Sequence, residues 1–254
     1  MPLRRNIGRY ALSKVTVVGI GPGDYDNMTV GADRALKSCD VIIGYHVYVD
    51  LVKERYPSKE FFTTPMTQEV KRCQMALDIA REGKDVAMVC SGDSGIYGMA
   101  ALIYELRGES PDPEIRVIPG LTAACSGAAL LGAPLTHDFA VISLSDRLTP
   151  WEKIEKRLEN AATADLSIVI YNPASRGRPD HLRRACSILL RHLPGDRVCG
   201  IASQIGRDGE SGRVLTLEEL RTAPVDMFCT VFIGNSMTKS IGDKMVTPRG
   251  YRDV

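Results

Sequence analysis

The chain has 254 residues, of which 44% are hydrophobic, and a formal net charge of +1. This is the composition of an ordinary globular protein, and the length suits one large domain or two of average size. The near-zero charge argues against a nucleic-acid surface or a basic membrane anchor, and no apolar stretch is long enough to span a bilayer. We therefore expect a cytoplasmic protein without nucleic-acid or membrane partners.

In chain order, residues 1–13 are interpreted as an arm, because they carry arginines without an apolar core. Short β-branched runs then alternate with helical runs, which is typical of a parallel α/β sheet. The expected strands are residues 15–19, 41–43, 86–90 and 114–118. The expected helices are residues 67–82, a helix that ends at Arg107, and residues 121–131. In the first helix Val70, Cys73, Leu77 and Ala80 share one face, which we expect to be buried.

Residues 132–134, Gly-Ala-Pro, are the predicted boundary between domains of residues 14–134 and 135–254. The expected strands beyond it are residues 139–144, 166–171, 197–203, 213–215 and 227–233. The expected helices are residues 150–160, capped by Thr149, and residues 179–193. Strands in close succession favour a mixed sheet in the last third. The simplest interpretation is two α/β domains with a ligand cleft between them.

The cysteines and histidines give no metal pattern. The seven cysteines include no CxxC pair, and the four histidines have neither HxxxH nor HExxH spacing. We therefore predict no metal site and interpret the cysteines as small buried side chains in a reducing compartment.

Four loops that follow predicted strands carry the unusual residues: 19–24, 91–98, 119–123 and 171–173. Ligands collect at the carboxyl ends of strands in an open α/β sheet, so these loops could converge on one site. In the first loop every second residue from Gly19 is glycine, which lets the backbone approach a ligand closely. Pro22 and Asp24 depart from the dinucleotide pattern GxGxxG, which disfavours an NAD-dependent reductase.

These loops make the chain recognisable. GIGPGD at residues 19–24, SGDSGIYG at 91–98, PGLTAA at 119–124, YNP at 171–173 and TVFIGN at 230–235 resemble ordered signatures of the tetrapyrrole methylases. The resemblance runs from about Lys14 to Gly250, almost the whole chain. Residues 44–52 and 137–152 are similar to the branch that methylates carbon 17 of precorrin-3B in cobalamin biosynthesis.

The resemblance implies two α/β domains of the class III methyltransferase type, with S-adenosyl-L-methionine as methyl donor in the cleft and S-adenosyl-L-homocysteine as product. It also implies a precorrin substrate and a homodimer. The donor contacts, largely main-chain, would be made by Pro22, Gly92, Asp93, Ile96, Thr122, Ala123, Tyr171, Asn172, Thr230 and Val231.

The tetrapyrrole would contact Gly21, Gly23, Asp24, Ser94, Ser145, Arg147 and Arg176. Methyl transfer from a sulfonium needs alignment more than a base. The contraction of the ring that accompanies methylation in this branch needs proton transfer, and the candidates are His46, His137, Ser143 and Asp146.

Structural alternatives stay open for several of these residues. Asp93 and Thr122 could cap local N–H groups, and Tyr171 could pack in the core. Strand alternation places Ser143 and Ser145 on the same face, which could line the substrate cavity or a solvated strand end. Arg176 belongs to a basic run that is most simply a solvated helix start.

The resemblance implies conversion of precorrin-3B into precorrin-4, and the lack of an evident metal site favours the metal-free substrate. The alternatives are a sister enzyme that acts on the cobalt complex or on another ring carbon, and a non-catalytic tetrapyrrole-binding protein.

Overall fold

Two α/β units make up the chain, the first extending to Thr122 and the second beginning at Ala123. The computed structural model describes residues 13–251, so all but the last residue of the predicted arm lies outside the described residues. The α/β fold class is confirmed by this architecture.

The first unit alternates strands and helices along the chain. Its elements are β1 (Lys14–Gly19), α1 (Val30–Ser38), β2 (Val41–Tyr45), α2 (His46–Asp50), β3 (Glu60–Thr64), α3 (Glu69–Arg81), β4 (Val86–Cys90), α4 (Ala100–Arg107) and β5 (Glu114–Ile118). The strands form one sheet in the order β3-β2-β4-β1-β5, and every neighbouring pair is parallel.

Apolar cores cover both faces of this sheet. Val15 and Val17 of β1 pack with α3 and α4, whereas Val18 packs on the opposite face with α1. Successive side chains of a strand point to opposite faces, so a strand covered on both sides is apolar at nearly every position. This double burial explains the apolar run of β4 and the mostly apolar run of β1, in which Thr16 is the buried exception.

The prediction for α3 was partly wrong. Val70 is 58% exposed, and the buried apolar face consists of Cys73, Ala76, Leu77 and Ala80. The side chain of Arg72 takes the sheltered position in the first turns, where its Nε donates to Thr64 Oγ1 at 3.0 Å. The prediction also missed α1, α2 and β3, although Thr29 caps α1 by accepting a hydrogen bond from the Ala32 N–H.

The second unit is richer in strands. Its elements are α5 (Ala123–Leu131), β6 (Gly132–Ala133), β7 (Phe139–Ser143), α6 (Trp151–Thr163), β8 (Ser167–Tyr171), α7 (His181–Leu189), β9 (Val198–Ser203), β10 (Ser211–Thr216), α8 (Leu217–Leu220), β11 (Cys229–Ile233), β12 (Lys239–Ile241) and β13 (Lys244–Val246). The predicted boundary at residues 132–134 falls inside this unit, because α5 packs on the second sheet.

The main sheet of this unit has the order β10-β9-β11-β8-β7. Only the β7–β8 pair is parallel among its neighbours, so the predicted mixed sheet is confirmed. One face packs against α6, α7 and α8, and the other against α5. A small second sheet, β12-β13-β6, follows.

Two local predictions in this unit were wrong. Thr149 does not cap α6, since the residue at the cap position is Pro150 and no side chain caps it. Strand β7 ends at Ser143, so Ser145 lies in the loop beyond it rather than on the same strand face as Ser143. The Ser145 N–H instead donates to Ser143 Oγ at 3.2 Å, which forms a turn.

Candidate functional site

Glycine backbones join the loops that follow β1, β4 and β5 in the first unit. Gly21 and Gly92 exchange two main-chain hydrogen bonds, of 3.1 and 2.7 Å, with φ angles of +74° and +69°. A Cβ placed on Gly19 would lie 2.6 Å from the nitrogen of Gly120. No side chain fits at that approach, so glycine is required there. Three of the four loops that were predicted to converge therefore meet directly.

The carboxylate of Asp93 holds this junction of loops together. Its Oδ1 accepts the N–H groups of Gly95 and Ile96 at 2.8 and 3.0 Å, and its Oδ2 accepts that of Gly120 at 3.0 Å. These bonds are the loop cap that the sequence left open as an alternative to a donor contact. They tie the loop after β4 to the loop after β5.

Ser94 corrects a prediction. It was expected to contact the tetrapyrrole, but it is fully buried and its hydroxyl donates to the carbonyl oxygen of Ile118 at 2.9 Å. A side chain sealed in this way supports the loop and does not face a ligand. Sequence alone could not reveal this, because serine is common in both settings.

The other predicted residues of the first unit differ in exposure. Pro22 and Thr122 are buried, whereas Ile96 is 42% exposed. Gly23 has a φ of +152°. The carboxylate of Asp24 accepts hydrogen bonds from the backbone and side chain of Asn27, which closes the turn after β1.

His46 is exposed at the start of α2. Its ring lies edge-on to that of Tyr45, with centroids 4.4 Å apart. It therefore remains available to a ligand at the carboxyl end of β2.

In the second unit, side chains join the strand ends. The Tyr171 hydroxyl accepts the N–H of Ala124 at 2.7 Å and so satisfies a free donor in the first turn of α5. Asn172 has a φ of +54°, which asparagine tolerates better than most residues, and its Nδ2 donates to Ser143 Oγ at 2.9 Å. Ala123, the first residue of α5, is partly exposed beside this cap.

Thr230 and Val231 lie in β11, which is central in the mixed sheet. Val231 is paired with Ile170 of β8 and Ile201 of β9, so neighbouring strands flank its backbone. The β8–β11 register runs from Val231 to Ile233 and therefore stops one residue before Thr230. Of the two predicted donor contacts in this strand, Thr230 is the one that lies just beyond the β8–β11 ladder, and it is paired only with Ala202 of β9.

His137 is engaged elsewhere. Its Nε2 lies 2.9 Å from the carbonyl oxygen of Pro248, and the neighbouring Thr136 hydroxyl donates to the carbonyl of Thr247. These contacts attach the segment before β7 to the segment after β13. The geometry supports a structural role for His137 in place of the predicted proton transfer.

Asp146 forms ion pairs that the sequence analysis missed. Its Oδ2 is 3.1 Å from His181 Nε2, and its Oδ1 is 3.9 Å from Arg178 Nη1. The adjacent imidazole, with a smaller contribution from the guanidinium, lowers the pKa of the Asp146 carboxyl. Asp146 therefore stays ionised, which makes it a poor proton donor.

Two predicted substrate residues are arginines in exposed loops. Arg147 follows Asp146 directly, and Arg176 lies in a turn where Ser175 and Arg178 exchange main-chain hydrogen bonds. Both guanidinium groups are exposed and could bind carboxylates.

Within residues 13–251, no three His, Cys, Asp or Glu side chains are grouped so as to hold a metal ion. Cys125 is exposed and the other six cysteines are buried. Burial raises the pKa of Cys90 to about 11, so this thiol stays protonated. None of the helices in the same range is long and apolar enough to cross a membrane.

Comparisons with known proteins identify the family of this chain. The family model described as "Tetrapyrrole (Corrin/Porphyrin) Methylases" matches residues 14–221. The chain is 45% identical over 238 residues to a "Probable cobalt-factor III C(17)-methyltransferase" of Salmonella typhimurium, covering 93% of this chain and 99% of that protein. It is 43% identical to a "Cobalt-factor III methyltransferase" of Priestia megaterium, covering 94% of this chain but 45% of that protein.

Among solved structures, the methyltransferase CobJ superimposes with a TM-score of 0.86 at 37% identity, covering 93% of this chain and all of that one. The family match covers most of the chain and the full-length relative is 45% identical. The chain therefore belongs to the tetrapyrrole methylase family.

Proposed function

We propose that this protein transfers a methyl group from S-adenosyl-L-methionine to carbon 17 of a tetrapyrrole at the precorrin-3B stage, with contraction of the ring. The observation that carries the proposal is the glycine junction of Gly19, Gly21, Gly92 and Gly120, held by Asp93. It presents main-chain atoms at the carboxyl edge of a parallel sheet, where α/β proteins bind ligands.

The residues present fit the methyl donor. Main-chain groups at the strand-following loops can bind its polar atoms, and glycines allow the close approach that such contacts need. In the second unit Tyr171, Asn172 and Thr230 offer an aromatic ring and backbone groups at the end of the β8–β11 ladder. The bound donor supplies an activated methyl group on a positively charged sulfur.

The work left to the protein is alignment. The hydrogen bonds of Asp93, Tyr171 and Asn172 hold the loops in place, which lowers the entropy cost of aligning the reactants. Apolar surface such as exposed Ile96 can keep water from the reacting atoms. No strong base is needed for the transfer itself.

Ring contraction needs a group that moves a proton, and we propose His46. Of the four predicted candidates, Ser143 accepts two hydrogen bonds that organise its turn, His137 contacts Pro248, and Asp146 is held as an anion. His46 is exposed, and an imidazole can both accept and donate a proton.

The substrate has two candidate forms. The sequence analysis favoured metal-free precorrin-3B, whereas the names of relatives at 45% and 43% identity favour a cobalt complex. We propose the cobalt complex as the second candidate, with cobalt arriving as part of the substrate.

The test is incubation of the purified protein with methyl-labelled donor and each form in parallel, followed by product mass and absorption spectrum. Label at carbon 17 in a contracted ring supports the proposal, and the more rapidly converted form identifies the substrate. Label at another carbon, or no transfer to either form, contradicts it.

We further propose that the protein works as a homodimer in the cytoplasm, as the family resemblance implies. Light scattering of the protein as it elutes from a size-exclusion column would give twice the 27.8 kDa mass of one chain. A mass of one chain at micromolar concentration would contradict the dimer.

A further inference from the structure

A cluster of charged and aromatic side chains lies in the second unit, outside the residues expected to bind the methyl donor. His181, the first residue of α7, is only 7% exposed. Its Nε2 and the Nη1 of Arg178 are both buried and neither makes a well-aligned hydrogen bond, but they lie 3.1 and 3.9 Å from the Asp146 carboxylate. A buried polar nitrogen is costly without a partner, so these contacts favour a position of the Asp146 carboxylate beside both groups.

An aromatic ring completes the cluster. The indole of Trp151 lies edge-on to the His181 ring, with centroids 4.9 Å apart, and the Arg184 guanidinium lies 3.9 Å from the centre of the same indole. Trp151 begins α6, directly after the loop that contains Asp146. The imidazole of His181 therefore contacts Asp146 within this loop and Trp151, the first residue after the loop.

The loop in question is residues 144–150, between β7 and α6. Leu148 at its tip is 98% exposed, so packing does not order this part of the loop. The turn at Ser145 fixes its beginning, and the helix start at Trp151 fixes its end. Between these points, Asp146 is where α7 holds the loop.

We infer that His181 is a positioning residue for the tetrapyrrole: together with Arg178 it holds Asp146, and so orders the loop that presents Ser145 and Arg147 to the substrate's carboxylates. This inference rests on the proposed function. It gives Asp146 a supporting role in place of proton transfer. Arg147 follows Asp146 immediately, so a fixed Asp146 limits the directions that the guanidinium of Arg147 can take.

The experiment compares His181→Gln with the matched control His192→Gln. His192 belongs to the turn that follows the same helix, is more exposed, and has a looser 3.8 Å ion pair with Glu159. Dissociation constants for the tetrapyrrole, in both substrate forms, and for S-adenosyl-L-homocysteine are measured by titration without turnover. We expect His181→Gln to weaken tetrapyrrole binding roughly tenfold and to change the dissociation constant of S-adenosyl-L-homocysteine less than twofold. His192→Gln should change neither dissociation constant.

Asp146→Asn provides a second variant whose side chain is partly exposed, which guards against misfolding of the histidine variant. It should weaken tetrapyrrole binding as much as His181→Gln does, and the double variant should be no weaker than either alone. Trp151, the sole tryptophan, should change its fluorescence in His181→Gln but not in His192→Gln.

Additive effects in the double variant, or unchanged tetrapyrrole binding with a loss of kcat alone, would overturn the inference, because His181 would then act independently of Asp146 or in the chemistry. The proposed function can fail separately. If the wild type binds the tetrapyrrole but does not methylate it, the proposed function is wrong, but the binding constants still test the role of His181. If the wild type does not bind the tetrapyrrole, both are wrong.

Discussion

The two units bring loops together at strand ends by different means. In the first unit, Gly21 and Gly92 are joined through their backbones, and a carboxylate from Asp93 secures the junction. In the second, side chains make the links, with Tyr171 bonded to α5 and Asn172 bonded to Ser143. A backbone junction tolerates no added atoms, whereas a side-chain link can be weakened one hydrogen bond at a time. The difference predicts how each unit responds to substitution.

The largest effect is expected from Gly19→Ala. The added Cβ would meet the main chain of Gly120 at 2.6 Å and that of Gly92 at 2.8 Å, and backbone cannot move aside as a flexible side chain can. We expect a loss of about 3 kcal/mol of unfolding free energy in urea, with donor affinity lowered at least about tenfold.

The control for this prediction is Gly177→Ala, because a Cβ there meets no atom within 4 Å. Equal stability of the two variants would show that the junction is not tightly packed.

Asp93→Asn should come next, with a loss of about 2 kcal/mol, because an amide must turn an N–H toward one of the N–H groups that the carboxylate accepts. Chemical denaturation measures it, and Asp26→Asn on the exposed turn after β1 serves as the control. If the side chain serves only to bind ligand, stability will stay at the wild-type value and donor affinity alone will fall.

Tyr171→Phe should cost about 1 kcal/mol, since it removes one hydrogen bond to the N–H of Ala124 and leaves the ring in place. Thermal unfolding measures this loss of stability. The control is Tyr104→Phe, since Tyr104 is 45% exposed. Because Ala123 precedes the capped residue, donor affinity should fall with stability. An unchanged melting temperature would contradict the cap.

The smallest effect is expected from a change of pH. It sharpens the comparison because, among residues 13–251, each unit has one aspartate whose pKa is lowered. Lys37, with Tyr56, lowers the pKa of Asp33, and His181 lowers that of Asp146. A folded-state pKa below the unfolded value stabilises the protein above about pH 4, and this stability is lost as the pH falls through the folded value.

The urea midpoint should therefore drop between pH 5 and pH 3, and less steeply in Asp33→Asn and in Asp146→Asn than in the exposed control Asp243→Asn. If the urea midpoint falls equally steeply with pH in all these variants, neither aspartate contributes to the pH dependence of stability.

The sequence predicted four of the five strands and the glycine-rich loops of the first unit, because those strands are rich in apolar residues and those loops use glycine. Both features depend on local residue identity, so they can be recognised without knowing tertiary contacts. The loops that contain Gly19, Gly21, Gly92 and Gly120 were singled out for this reason. The burial of Val70 was predicted wrongly because helical spacing cannot tell where along a helix the packing begins.

The second unit was predicted less well because its links are between residues distant in the chain. His181 and Asp146 are 35 positions apart, and nothing in the spacing of either indicates the other. The first unit has one such case, Ser94, because its hydroxyl donates to the carbonyl oxygen of Ile118, 24 positions away at the end of β5. Pairings of this kind become visible only when the sheet has brought the strand ends together.

The backbone construction of the first unit also affects how its function can be found by experiment. An alanine scan removes side chains and leaves main-chain N–H and C=O groups in place. At Pro22, Ile96 or Thr122, such a scan would therefore report little even where a ligand is bound. The informative scan adds a side chain at each glycine, because an alanine scan has no side chain to remove at these positions. A loss of ligand affinity then identifies the glycines whose backbone contacts the ligand.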